Sequence, residues 1–213
     1  MPGPVDHDWL KQGSTSSADV RQSYENWAGS YDQDLSDWDY RAPLDAALLL
    51  KSHTSVTSKV LDAGCGTGLV GTALRRVGFT GDITGIDLSP TSLEKAEERG
   101  VYRDLQPVDF QQLPLALSDD TYDALTCVGV LTYVLDSEAI LKEFARLVRP
   151  GGITLVTQRN DLFQERAFDR TIQELVDERV YKDPVISDPK LYLPGNPDFG
   201  SDIQVIYAIL TVA

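Results

Sequence analysis

From Lys59 onward, short apolar runs alternate with stretches whose apolar positions recur every three to four residues, the rhythm of strands and helices taken in turn. The spacing predicts strands at 60–62, 82–87, within 101–108, at 123–128 and at 152–158. Helices fall between them: 69–77, from a Ser89-Pro90 cap to Arg99 before Gly100, and 137–148. Strands alternating with helices imply a mostly parallel sheet with helices on both faces. Upstream, Ser17 is the expected cap of a helix over 18–29 that puts Val20, Tyr24 and Trp27 on one side, and Pro43 opens a second helix through Leu44, Leu48 and Leu49. Beyond Asp161 the pattern predicts one long helix near 165–180 and two extended segments, 185–193 and 203–212, that close the sheet as an antiparallel hairpin. Pro184, Pro189, Pro194 and Pro197 make the first of these an edge strand or part loop, because proline cannot donate to a ladder.

The Pro-, Gly- and Ser-rich residues 1–16 read as a flexible arm, and 17–213 as a single domain. Within it, 17–56 form a helical cap, 57–160 a ligand-binding core, and 161–213 an inserted helix and final hairpin.

Composition narrows the partners. A chain of 213 residues buries a core without disulfides or metals. Cys65 and Cys127 give neither a disulfide framework nor a zinc spacing, so no metal is expected. A formal charge of −14 disfavours nucleic acid, whose binding draws on Lys and Arg against phosphates. The longest apolar run, 46–50, is too short to span a bilayer. Asp6, His7 and Asp8 stand where a secretory leader needs a basic and then an apolar stretch, so the expected location is cytoplasmic, with the nucleus open. No long exposed apolar stripe is evident, and a monomer is expected.

Candidate chemistry concentrates in Val60-Leu61-Asp62-Ala63-Gly64-Cys65-Gly66-Thr67-Gly68, a strand ending in an acid, then alternate glycines, then a helix. Glycines let a ligand approach the backbone closely, and a helix N-terminus offers free N–H groups to an anion. Gly66-Thr67-Gly68-Leu69-Val70-Gly71 formally fits the dinucleotide pattern G-x-G-x-x-G, which keeps an NAD(P)-binding oxidoreductase in view. Asp62 argues against it: at the mouth of the strand its charge would repel a pyrophosphate, whereas it would attract a ligand bearing an ammonium. Asp87 ends the next strand, 19 residues after Gly68, where a carboxylate accepts from ribose hydroxyls. Asp109 follows the third, within reach of an adenine amine.

Three acids after three successive strands, together with Leu147-Val148-Arg149-Pro150-Gly151-Gly152, resemble the motifs of class I S-adenosylmethionine-dependent methyltransferases. The likeness spans about 24–157, and a narrower one rests on the segments 24–32, 38–43 and 127–133. It implies a Rossmann-like α/β fold with a seven-stranded, mostly parallel sheet, an antiparallel C-terminal hairpin and an N-terminal helical cap. The implied cofactor is S-adenosyl-L-methionine and the implied activity methyl transfer. By the resemblance, Asp62, Ala63, Gly64, Cys65, Gly66 and Gly68 meet the methionine moiety, Asp87 holds the ribose, and Leu88 packs on the adenine. Asp109 accepts from the adenine amine, the Phe110 N–H donates to the ring, and the main chain at Cys127 meets the methionine amine. Tyr31 and Arg41 lie where relatives place a lid, and Thr132 and Tyr133 face the acceptor.

Plainer roles compete. Trp27 and Trp38 are expected to fasten the cap by packing, Cys65 to fill a small space, and His7 and His53 to lie on the surface. No histidine or glutamate stands out as a base, and the Asn/Asp-Pro-Pro-Tyr signature of nucleobase and glutamine methylation is absent. A small-molecule acceptor is expected, of unspecified nucleophile. A catalytically idle cofactor-binding module acting through a protein partner is the alternative from another class.

Overall fold

The structure, a computed structural model that describes residues 9–213, turns the alternation into one sheet flanked by helices. The first five strands are β1 (Val60–Ala63), β2 (Ile83–Asp87), β3 (Asp104–Pro107), β4 (Tyr122–Cys127) and β5 (Val148–Arg159). They pair in parallel in the order β3-β2-β1-β4-β5. The final strand, β8 (Gln204–Val212), runs antiparallel between β5 and the edge strand β6 (Tyr181–Ile186). A two-residue strand, β7 (Lys190–Leu191), pairs with the start of β8, so the expected seven strands become eight. Pro184 sits where β6 shifts register between Lys182 and Val185, with Asp183 at φ +49°.

β1 neighbours both β2 and β4, so the connections leave its C-terminal end in opposite directions and open a crevice there. Helices α4 (Ala42–His53) and α5 (Leu69–Arg76) cover one face, burying Leu50, Leu74 and Ile83. Helix α6 (Pro90–Glu98), capped by Ser89 as expected, follows β2. Helices α7 (Ser137–Leu147) and α9 (Phe168–Asp177) cover the other face, packing Phe144 and Leu175 against Leu61 and Leu125. Strands buried from both sides read as the near-continuous apolar runs seen in the sequence.

The cap differs from expectation in three places. Helix α2 (Ser17–Trp27) is capped by Ser16, whose Oγ accepts from the Asp19 N–H, and this frees the Ser17 hydroxyl for another partner. An unanticipated helix, α3 (Tyr31–Asp37), links the cap to the core, and Trp27, Leu35 and Leu10 join Leu193 and Phe199 in a third apolar cluster. Of the expected flexible arm, residues 1–8, His7 among them, lie outside the described residues. Trp9–Gln12 forms a turn of helix, α1, with Leu10 buried.

The single long helix expected near 165–180 is two, α8 (Asn160–Glu165) and α9. They break at Ala167, which takes φ +47°. The break turns Arg166 toward the 3₁₀ turn Leu131–Tyr133, where it donates to the carbonyls of Leu131, Thr132 and Val134 at 3.1, 3.1 and 3.2 Å. No helix among the described residues is long and apolar enough to cross a membrane.

Phe144 is fully buried, and its ring meets that of Phe110 edge-on at 5.9 Å. Phe144→Ala is expected to lower stability by about 3–5 kcal/mol in urea titration, the cost of truncating a buried aromatic.

Candidate cofactor and acceptor site

The crevice is one cavity of about 1090 Å³, open solvent at its mouth included, walled by the β1–α5 loop, the ends of β2 to β5 and the cap. Gly64, Gly66, Asp87, Leu88, Asp109 and Phe110 line it, and Tyr31 does so from α3. Thr132 and Tyr133 line it beyond β4. A Cβ at Gly66 would meet nothing within 4 Å, so this stretch of backbone lies bare to the cavity at φ +52°. The Asp87 carboxylate accepts from the Gly66 N–H at 2.8 Å and the Ser89 N–H at 2.9 Å. Burial raises its pKa despite these two bonds.

Asp62 is placed differently from the expectation. It is 1% exposed and does not line the cavity. Beneath the loop, its oxygens accept from the Tyr102 hydroxyl at 2.7 Å and from Thr126 Oγ1 at 3.1 Å. Its charge therefore braces the loop rather than facing a ligand, and the carboxylates that do face the cavity are Asp87 and Asp109. Burial outweighs both hydrogen bonds and pushes Asp62 up to about 6. Ala63 and Cys127 are buried in strand ends, Cys65 backs a small recess behind the loop, and Gly68 caps α5. Arg41, the residue before α4, has an exposed side chain that pairs with Asp45 at 3.8 Å and is not among the residues lining the cavity. His53, as expected, is exposed.

Polar contacts fasten the cap where the sequence offered no periodic signal. Asp32 of α3 accepts from Thr67 Oγ1 at 2.6 Å and pairs with Arg99 Nη2 at 2.5 Å, while Arg99 Nε donates to the Thr67 carbonyl at 2.6 Å. Lys95 of α6 donates to the Ala28 carbonyl. Ser17 donates to Asp109 at 2.9 Å, so the start of α2 closes over the third acid.

Beyond the loop the walls are aromatic. Trp27 packs edge-on against Tyr31 at 4.6 Å, Tyr24 against Tyr133 at 5.9 Å, and Tyr40 against Tyr192 at 5.5 Å. Burial raises the pKa of every one of these phenols, which stay protonated at neutral pH. Arg159, at the end of β5, is a cavity residue that sequence reasoning missed. Its only trace was an arginine closing an apolar strand.

A family profile described as Methyltransferase domain matches residues 61–156, the stretch that builds β1 through most of β5. Methyltransferase-like protein 27 of Homo sapiens is 35% identical over 163 residues, 71% of this chain and 64% of that protein. Residues 61–156 thus match a methyltransferase domain, and the chain resembles class I S-adenosylmethionine-dependent methyltransferases. The narrower likeness noted for segments 24–32, 38–43 and 127–133 is to this same human protein. A ubiquinone biosynthesis O-methyltransferase of Actinobacillus pleuropneumoniae is 36% identical over 117 residues, covering 52% of this chain and 49% of that protein. The chain thus spans less than two thirds of the length of these curated relatives. Among solved structures, an S-adenosylmethionine-dependent methyltransferase of Thermotoga maritima shares the fold at TM-score 0.63 and 18% identity, over 88% of this chain and 97% of that one. The family's cofactor is S-adenosylmethionine, and the dinucleotide reading of 66–71 falls away. The last glycine of that match has a packing reason instead: a Cβ on Gly71 would lie 2.4 Å from the Tyr102 ring.

Two consequences are measurable. Because the folded state raises the Asp62 pKa from 3.8 to about 6, it binds the proton more tightly than the unfolded chain does, so this group's contribution to stability falls as pH rises through that window. Relative to Asp62→Asn, the parent chain should lose about 2 kcal/mol between pH 4 and pH 7 in urea titrations. A pH-independent difference would show that Asp62 ionises freely. Asp32→Ala should weaken S-adenosylmethionine binding several-fold in calorimetry, a modest effect because the Asp32–Arg99 pair is partly exposed and worth about 1 kcal/mol or less.

Proposed function

We propose that the chain is an active methyltransferase that moves the sulfonium methyl of S-adenosylmethionine to a small-molecule acceptor. The observation that carries this reading is the continuity of the cavity. One space runs from the glycine loop, Asp87 and Asp109 to the aromatic walls around Tyr133.

The residues fit the cofactor. The bare backbone at Gly66 admits the methionine end, and Asp87 retains free lone pairs for ribose hydroxyls. Leu88 and Phe110 offer apolar faces for the adenine, with Asp109 beside them to accept from its amine. When bound, S-adenosylmethionine supplies an electrophilic methyl on a cationic sulfur. The protein's part is to align the acceptor with that methyl in a dry room, and the cap excludes water by closing Tyr24, Trp27 and Tyr31 over the crevice. Charge cancels in the transition state, so apolar walls suit it. Neither His7 nor His53 is offered as a base, and the raised phenols cannot act as one near neutrality.

Calorimetry tests the binding half. S-adenosylmethionine and its demethylated product should bind while NADH does not, and Asp87→Ala should cost about ten-fold or more in affinity through lost charge-assisted hydrogen bonds. An unchanged affinity would displace the ribose from Asp87. For the catalytic half, labelled cofactor is incubated with fractionated small-molecule extract. A labelled small product is expected; tight cofactor binding with no transfer to any fraction would assign the chain to the idle module instead.

A further inference from the structure

Resting on the methyl-transfer reading, the geometry points to Tyr40 and Tyr192 as the pair that holds the sulfonium of S-adenosylmethionine and tells the charged cofactor from its neutral product. Tyr40 lies between α3 and α4, and Tyr192 directly follows β7. Both fall outside residues 61–156, the stretch that matches the methyltransferase domain. Both line the cavity, and they meet over Gly129, two residues past the end of β4. A Cβ on Gly129 would lie 3.0 Å from the Tyr40 hydroxyl oxygen and 3.2 Å from that of Tyr192. With φ at +76° and its N–H bonded to Thr157 Oγ1 at 2.8 Å, this glycine leaves room for the two oxygens to aim at one spot.

That spot adjoins the cofactor end. Tyr40 also borders the recess behind the loop, together with Gly64 and Gly66, and the Tyr31 hydroxyl feels the fields of both Asp87 and Tyr192. With the methionine end at the loop and the ribose at Asp87, the sulfur that joins them falls between these landmarks, beside the wall that the phenol pair supplies. Of the charged residues lining the cavity, Asp87 and Asp109 are taken by ribose and adenine, and Arg21 is exposed on α2. Arg159, whose charge reaches Tyr192, is paired with Asp161 at 2.5 Å and bonded to the Leu10 and Lys11 carbonyls, so its repulsion of a cation is largely cancelled.

What the pair offers a cation is oxygen. The two hydroxyls bond each other, which uses one hydrogen and one lone pair and leaves the remaining lone pairs unspent. Burial keeps both protonated at neutral pH, so they act as neutral dipoles; an ionised oxygen in this place would itself compete for the methyl. Lone pairs turn toward a cationic sulfur, and the ring faces add the attraction of their quadrupoles. Once the methyl has passed to the acceptor, the C–S bonding pair stays on sulfur and the thioether carries no charge for these dipoles to hold. The site thereby favours entering cofactor over spent product, while the contacts to methionine, ribose and adenine serve both alike.

The test is calorimetry on the full chain with three ligands: S-adenosylmethionine, S-adenosylhomocysteine, and sinefungin, which carries an ammonium in place of the sulfonium. Tyr40→Phe and Tyr192→Phe keep the rings and remove only the oxygens. Each should weaken S-adenosylmethionine and sinefungin about three- to five-fold, and the double variant about ten-fold. S-adenosylhomocysteine, which shares every other group, should stay within about two-fold of the parent in all three variants and so reports that the fold is intact. The inference is overturned if the ratio of cofactor to product affinity is the same in parent and variants, whether because no ligand is weakened or because all are weakened equally; equal weakening would assign the hydroxyls to a part the ligands share. A variant that binds the cationic ligands more tightly would also overturn it. These outcomes leave methyl transfer standing, whereas failure of both S-adenosylmethionine and S-adenosylhomocysteine to bind the parent chain would overturn that reading and this inference with it.

Discussion

The site depends on a carboxylate that solvent cannot reach. Asp62 lies one residue before the end of β1, where the sheet's connections diverge, and a buried charge there must be met by donors. Tyr102 and Thr126 supply them from opposite sides, one from the segment ahead of β3 and one from β4. The Tyr102 ring reaches Asp62 by lying against α5, which accounts for the missing side chain at Gly71. With its lower side pinned in this way, the loop presents Gly64 and Gly66 to the cavity and aims the Gly66 N–H at Asp87. Holding Asp62 ionised costs stability at neutral pH, a cost concentrated at the functional end of the sheet.

The core was legible because its signals are local. Each parallel strand is an apolar run, each flanking helix repeats at helical spacing, and Ser89-Pro90 caps α6 as its residue types suggest. The glycine spacing and the acids at 87 and 109 fall together at one end of the cavity for the same reason. What escaped notice is set by distant partners. α3 is a short helix whose place is fixed by Asp32 reaching Thr67 and Arg99. The interruption at Ala167 follows from carbonyls of the Leu131–Tyr133 turn that lie far away in the chain. Asp62 lies beneath the loop on Tyr102 and Thr126, an orientation that packing decides and that local sequence does not carry. Arg41 pairs with Asp45, one turn on in α4.

Cofactor loop and cap are mechanically one unit. Thr67 belongs to the loop and Asp32 to the cap, while Arg99 grips both just past the end of α6. On the acceptor side Arg159 holds the α1 turn by its carbonyls, and Gln111 donates to both the Thr15 and Tyr133 carbonyls at 3.1 Å. The roof is thus tied at both ends to side chains rooted in the sheet or its loops. Opening it for exchange of ligands means breaking several modest, partly hydrated bonds rather than unpacking the core, the kind of transition compatible with turnover.

The register shift at Pro184 has a consequence beyond the hairpin. A sheet's outermost strands are templates on which another chain can crystallise its own backbone. Here one border, β6, is kinked by a proline and a left-handed Asp183, and the other, β3, is short and ends in Pro107. Neither border offers an unbroken row of amide donors, so two molecules that collide while partly open find no ladder to extend, and fibril-like growth has nowhere to start.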